Sequence, residues 1–247
     1  MKDEIETPAL DHFTTNDYDS IYEPAEDSFL LIDALEKELS DLRRRNYFDS
    51  PAICLEVGCG SGIISAALGK ALGNTCYMLA TDINAKASEA TKRTSERNGV
   101  RVEPIVTDLV SSLLPRLRHK VDILLFNPPY VVTPSEECSE EHLTKAWAGG
   151  HLGREVMDRL SLAVPDLLSP TGLYFLVVIR ENKPGLIDLF KLMSRCFRCA
   201  VLYCSPWRPT DEIRKSLAKM GLRSKIVISR RCGAEFLSVI CFYREDS

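Results

Sequence analysis

Four short stretches of this chain set acids, glycines and a side-chain amide at the ends of apolar runs. They are Glu56-Val57-Gly58-Cys59-Gly60-Ser61-Gly62, Thr81-Asp82, Thr107-Asp108-Leu109 and Asn127-Pro128-Pro129-Tyr130. In an open α/β sheet, ligands bind beyond the carboxyl ends of the strands, so chemistry would collect in these turns. The glycines fall at 58, 60 and 62, and Ile63 stands where a dinucleotide fingerprint needs its third glycine. That spacing brings backbone close to a nucleoside that carries no pyrophosphate. The cofactor whose charged end is instead an amino acid is S-adenosylmethionine. Asp82, 20 residues after Gly62, is placed to accept both ribose hydroxyls through its two oxygens. Asp108 offers a carboxylate to the exocyclic amine of adenine, and Leu109 a wall for the ring.

Asn127-Pro128-Pro129-Tyr130 has a different chemistry. Two successive prolines remove two backbone donors and fix φ, leaving a stiff corner rich in unpaired carbonyls. Beside them, the Asn127 amide supplies a second acceptor converging on one point. Such a corner suits a substrate NH2 group, whether an amide or an arylamine, whose delocalised lone pair makes it a poor nucleophile. Acceptors that pull on its hydrogens favour the pyramidal geometry and the positive charge of a methyl transfer. Alignment supplies much of the remaining acceleration. Tyr130 could stack on the planar group. Asn127, Pro128, Pro129 and Tyr130 are therefore the candidate catalytic residues.

The elements that must position these groups follow from the hydrophobic pattern. Short apolar runs at 52–57, 76–81, 102–107, 121–126 and 173–179 alternate with helical patterns at 62–72, 84–98 and 156–168. That alternation predicts a parallel sheet with crossover helices covering both faces. Residues 225–229 and 236–243 close it as an antiparallel pair. Ahead of the core, Tyr22–Ser28 leads into a helix over 29–39, and polar, aperiodic residues 1–20 read as a mobile segment.

Composition bounds the answer further. The 247 residues, 45% hydrophobic and 27% charged, suit one generous domain over residues 21–247. Apolar runs are strand-sized, far below the ~18 residues that span a bilayer, and the opening residues are too acidic and polar for a signal peptide. No membrane association is expected. A net charge of −4 weighs against a nucleic-acid partner. Nine cysteines, odd in number and scattered, read as reduced thiols of a cytoplasmic or nuclear protein. Cys196, Cys199 and Cys204 lack a second ligand pair, so no metal is expected. His12, His119, His142 and His151 show no ligand spacing.

With those residues in view, the chain resembles the HemK-type glutamine-N5 methyltransferases, in the eukaryotic branch acting on the class I release factor. The resemblance covers roughly residues 20–184 and 210–243 and rests on particular segments. These are Tyr22-Glu23-Pro24-Ala25-Glu26-Asp27, Leu55–Gly58, Thr81–Asn84, Asn127–Val132 and Ala146-Trp147-Ala148-Gly149-Gly150 through Gly153-Arg154-Glu155. It implies a Rossmann-like class I methyltransferase fold with a seven-stranded, mostly parallel sheet. It implies that Ser28, Glu56, Gly58, Asp82, Asp108, Leu109 and Asn127 line the cofactor, with Gly60 and Gly62 in the same loop. It also implies a small zinc-binding activator subunit as heterodimer partner, a Gly-Gly-Gln glutamine as substrate, and histone lysine as a further one. Ser28 replaces a frequent threonine and keeps the hydroxyl. The larger departure is the 25-residue tract Gly185–Pro209, an atypical insertion that is either lineage-specific or a retained intron. A nucleic-acid amine methyltransferase and an inactive cofactor-binding scaffold stand as the alternatives.

Overall fold

A computed structural model describes residues 4–44, 51–130, 155–179, 209–233 and 235–244. Seven strands form one sheet in the order β3-β2-β1-β4-β5-β7-β6. Strands β1 (Ala52–Val57), β2 (Cys76–Asp82), β3 (Val102–Val106), β4 (Val121–Phe126) and β5 (Leu168–Ile179) run parallel. Strands β6 (Leu222–Cys232) and β7 (Glu235–Arg244) join antiparallel, with β7 inserted between β5 and β6. The alternating pattern predicts the mostly parallel, doubly covered sheet, and the seven strands in this order match the class I methyltransferase fold that the resemblance implies. The strand order reverses at β1/β4, and both of those strands end in candidate segments.

The central strands are apolar on both sides because both sides are covered. On one face, Leu30, Leu31, Leu35 and Leu39 of α1 (Glu26–Arg44) pack with Ile64, Ala67 and Leu68 of α2 (Ile63–Leu72). They cover Cys54, Ile123, Phe175 and Val177. On the other, Met157, Leu160 and Val164 of α5 (Glu155–Leu167) and Leu217 of α6 (Pro209–Lys219) meet Leu124, Phe126, Tyr174 and Phe242. Helix α3 (Ala85–Arg97) begins where the Asn84 side chain accepts from the Lys86 amide, an N-cap of the kind its sequence announces. A short α4 (Leu114–Leu117) precedes β4. Among the described residues, no helix is long and apolar enough to cross a membrane.

Residues 4–20, read from sequence as mobile, carry fixed partners. Arg97 holds Asp11 with two bonds of 2.8 Å. Asn98 exchanges hydrogen bonds with the Ala9 backbone. Arg93 binds Asp17 and the His12 carbonyl, both at 2.7 Å, and lies over the Phe13 ring. Local periodicity misses this strap because its partners lie on α3, some eighty positions away. Among the described residues Cys54, Cys59, Cys76, Cys232 and Cys241 are free thiols, and no cluster fit for a metal ion is found. The 185–208 part of the atypical tract, with Cys196, Cys199 and Cys204, and the 146–154 motif lie outside the described residues.

Candidate active site

Strand pairing brings the four candidate turns to one end of the sheet. β1 delivers Glu56 and Gly58, β2 delivers Asp82, and β4 delivers Asn127. The amides of Gly58 and Cys59 both donate to the Thr81 carbonyl, at 2.7 and 3.0 Å, locking the glycine turn onto the next strand. Gly60 then donates to Asp82 Oδ2 at 3.0 Å, while Asn84 donates to Asp82 Oδ1 at 2.9 Å. Each Asp82 oxygen thus holds one backbone N–H and keeps lone-pair capacity for a further donor. Burial pushes the Asp82 carboxyl up and these backbone donors pull it down.

Gly62 is the glycine that the packing demands. Its φ is +78°, and a Cβ there would lie 2.7 Å from the Thr91 Cα and 2.9 Å from the Thr91 Oγ1 on α3. The left-handed turn therefore starts α2 while letting α3 approach to backbone contact.

Glu56 sits under the loop with 1% exposure. Its Oε2 accepts from the Ser65 amide at 2.9 Å and from the Ser65 hydroxyl, tying β1 to the first turn of α2. Burial pushes its carboxyl up to about 8, against the opposing pull of the Ser65 donors. A carboxyl raised in the fold favours the native state below its unfolded value. That advantage is lost as pH rises from the ordinary carboxylate range to about 8. Glu56→Gln cannot ionise, so its melting temperature should gain on the parent's from about pH 5 to about pH 8 and hold that gain above. Thermal scans of both proteins across that range check this; parallel curves would mean Glu56 is not buried as described.

At the third strand end, Asp108 pairs with Arg159 of α5 at 2.5 Å, both side chains being about half exposed. Adenine recognition by Asp108 would thus compete with, or share, that guanidinium. Leu109 has φ +50°, uncommon for a side chain of its size, and packs against the α5-side core.

The Asn127 corner is organised by a residue whose role the sequence did not disclose. Asp27, second residue of α1 and 3% exposed, accepts from several donors at once. Asn127 Nδ2 donates to its Oδ2 at 3.0 Å and the Tyr130 hydroxyl at 2.9 Å. The Tyr22 hydroxyl spans both oxygens at 3.0 and 2.9 Å. The Ser28 amide donates to Oδ1 at 2.7 Å and the Ser28 hydroxyl at 3.3 Å. The Ser28 hydroxyl is thus turned toward Asp27. Burial and the Asp27 charge hold the Tyr22 and Tyr130 phenols above their ordinary range, so both keep their protons and act as donors. One atom is left over: Asn127 Oδ1 is buried with no hydrogen-bond partner among the described residues. Pro128 is buried, and Pro129 and Tyr130 are half-buried.

A sequence signal for Asp27 did exist. It is an acid whose i+3, i+4 and i+7 neighbours are Leu30, Leu31 and Ala34, the core face of α1.

The methyltransferase small domain family model matches residues 27–153. The human "Methyltransferase HEMK2" is 44% identical over 236 residues, covering 96% of this chain and 95% of its own. The Schizosaccharomyces pombe "eRF1 methyltransferase catalytic subunit mtq2" is 32% identical, with 97% and 96% covered. Among solved structures, the E. cuniculi Mtq2–Trm112 complex, described as methylating the eRF1 translation termination factor, matches with TM-score 0.60 at 25% identity. It covers 92% of this chain and 99% of that one. The T. thermophilus 16S rRNA methyltransferase RsmC, solved with AdoMet and guanosine, has TM-score 0.54 at 14% identity, covering 91% and 44%, a likeness of fold alone. With its sheet order, its four loaded strand ends and relatives aligned along nearly its whole length, the chain belongs to the methyltransferase small domain family, in the group of HEMK2 and Mtq2.

Proposed function

We propose that this chain is the S-adenosylmethionine-dependent catalytic subunit that methylates the glutamine side-chain amide of the Gly-Gly-Gln motif in the class I release factor, in the cytoplasm. One observation carries the reading: Asn127 Oδ1, a buried acceptor without a partner among the described residues, stands beside a double-proline corner. A buried polar atom without a partner costs about 1–3 kcal/mol, so it marks a place kept for a donor. A primary amide supplies that donor. Its second N–H would meet a carbonyl of the corner.

The residues present fit the cofactor. The left-handed Gly58 and Gly60 keep side chains out of the turn. Each Asp82 oxygen keeps acceptor capacity for one hydroxyl beside its backbone donor. When bound, S-adenosylmethionine supplies the electrophilic methyl group. The chain's own residues do the rest: Gly58 to Gly62 shape the loop, Asp82 holds the ribose, and Asn127 orients the acceptor nitrogen. Tyr22 and Tyr130 are not bases in this scheme, because their protons are committed to Asp27. Glu56 supports the loop from behind rather than facing the cofactor.

The activator is a small subunit like Trm112, named with Mtq2 in the matched complex. Its docking place is the β2–β3 end of the sheet. Helices α2 and α3 cover one face there. On the other, Tyr77 is 57% exposed, with Leu79 and Ile105 half-buried nearby. Strand β3 ends the sheet and leaves backbone groups to pair.

Incubating the chain and activator with methyl-labelled cofactor and a release-factor domain tests the proposal. Label on the Gly-Gly-Gln glutamine is the expected result. Label on an oligonucleotide alone would replace it with the nucleic-acid amine reading, which the net charge of −4 disfavours. Cofactor binding without turnover would leave a scaffold.

A further inference from the structure

We infer that Asp27 is a positioning residue that sets the hydrogen-bond polarity of the acceptor pocket, so that only a nitrogen bearing hydrogens is oriented for transfer. The inference deepens the glutamine-amide reading and rests on it. An ionised carboxylate only accepts. The Asn127 group facing Asp27 Oδ2 at 3.0 Å must therefore be its NH2. The amide is planar, so Oδ1 is directed away from Asp27, and among the described residues it is buried without a partner. A free asparagine amide could turn over and present either end. Here Asp27 removes that choice.

Asp27 is itself held. The Tyr22 and Tyr130 hydroxyls and the Ser28 amide converge on it from three directions, and it lies in the first turn of α1, where the helix dipole favours an anion. Among the described residues, no cation donates a hydrogen bond to it. The network fixes the geometry that Asn127 presents to the substrate.

Substitution by asparagine reverses the logic. In Asp27→Asn, the oxygen stays where it accepts from the Ser28 amide and the Tyr22 hydroxyl, and the new NH2 takes the place of Oδ2, facing Asn127 and a Tyr130 hydroxyl that rotates to accept. Asn127 then turns over to accept, and its own NH2 faces the incoming substrate NH2. Donor meets donor, and the nitrogen loses its orientation.

The test uses the full chain with its activator. Asp27→Asn is expected to lower kcat for the release-factor domain by about a hundredfold, the scale of one lost transition-state contact. Cofactor affinity should stay within about threefold, because the glycine turn and Asp82 do not touch Asp27 and the Ser28 amide keeps an acceptor in the variant. The exchanged pair Asp27→Asn with Asn127→Asp restores a donor facing an acceptor, with one carboxylate oxygen left for the substrate. It should turn over at least about tenfold faster than Asp27→Asn alone, a coupling that additive damage does not give. Turnover of Asp27→Asn within about threefold of the parent, or a double variant no better than the single, overturns the inference. In the unmutated complex, the Asn127 side-chain amide protons should show a hydrogen bond to the Asp27 carboxylate by NMR; its absence overturns the inference whatever the variants' folding. If the parent complex methylates no glutamine yet that bond is present, the glutamine reading fails while the positioning role stands.

Discussion

Asn127→Ala is expected to reduce methyl transfer by about a thousandfold while leaving cofactor affinity within about tenfold. Removing the side chain takes away the acceptor that orients the substrate nitrogen, an effect worth about 10²–10³ in related oxyanion-type contacts. It also removes one of the donors on Asp27, loosening the corner that aligns the reactants. The cofactor's principal holds, the glycine turn and Asp82, are made by β1 and β2 and do not pass through Asn127. Single-turnover kinetics with calorimetric titration of cofactor separate the two effects. Near-normal turnover would remove Asn127 from the chemistry.

Gly62→Ala should be the most damaging single-methyl change in the site. The new Cβ would press on Thr91 backbone at 2.7 Å, so α3 rather than a flexible side-chain tip would have to move. Left-handed backbone costs a side chain about 1–2 kcal/mol and overpacking about 1–3 kcal/mol more. A combined loss of about 3 kcal/mol corresponds to roughly 6–12 °C in melting temperature for a domain of this size. Cofactor affinity should fall with it, because Thr94 Oγ1 and Thr91 Oγ1 donate from α3 to the Ser61 and Gly60 carbonyls of the same loop. Calorimetric melting and cofactor titration measure both. An unchanged melting temperature would mean the loop does not meet α3 as described.

What the sequence disclosed, and what it withheld, follows from the range of the interactions. β1 and β4 occupy the expected 52–57 and 121–126, because buried apolar runs between turn residues leave little choice of boundary. The four loaded strand ends could be read in the same way, since strand-end chemistry is local. β5 begins at Leu168 rather than 173, because Leu168 pairs with Val121 before a register shift. No periodicity encodes such a break. α1 runs over 26–44 rather than 29–39, since its polar ends obey capping and dipole preferences rather than apolar spacing. The strap over residues 4–20 is held by ion pairs with α3, and polar strings look alike whether solvated or paired. Asp27 was visible as a letter in a motif, yet its function depends on Asn127 and Tyr130 about a hundred positions downstream.

The central claim is that a glutamine amide meets the cofactor's methyl group at the double-proline corner. A crystal structure of the chain with its activator, S-adenosylhomocysteine and a Gly-Gly-Gln peptide tests it most directly. The expected result places the glutamine nitrogen within hydrogen-bond reach of Asn127 Oδ1, with the sulfur in line behind it. A peptide seated elsewhere, or an Asn127 oxygen facing away from the sulfur, would contradict the account.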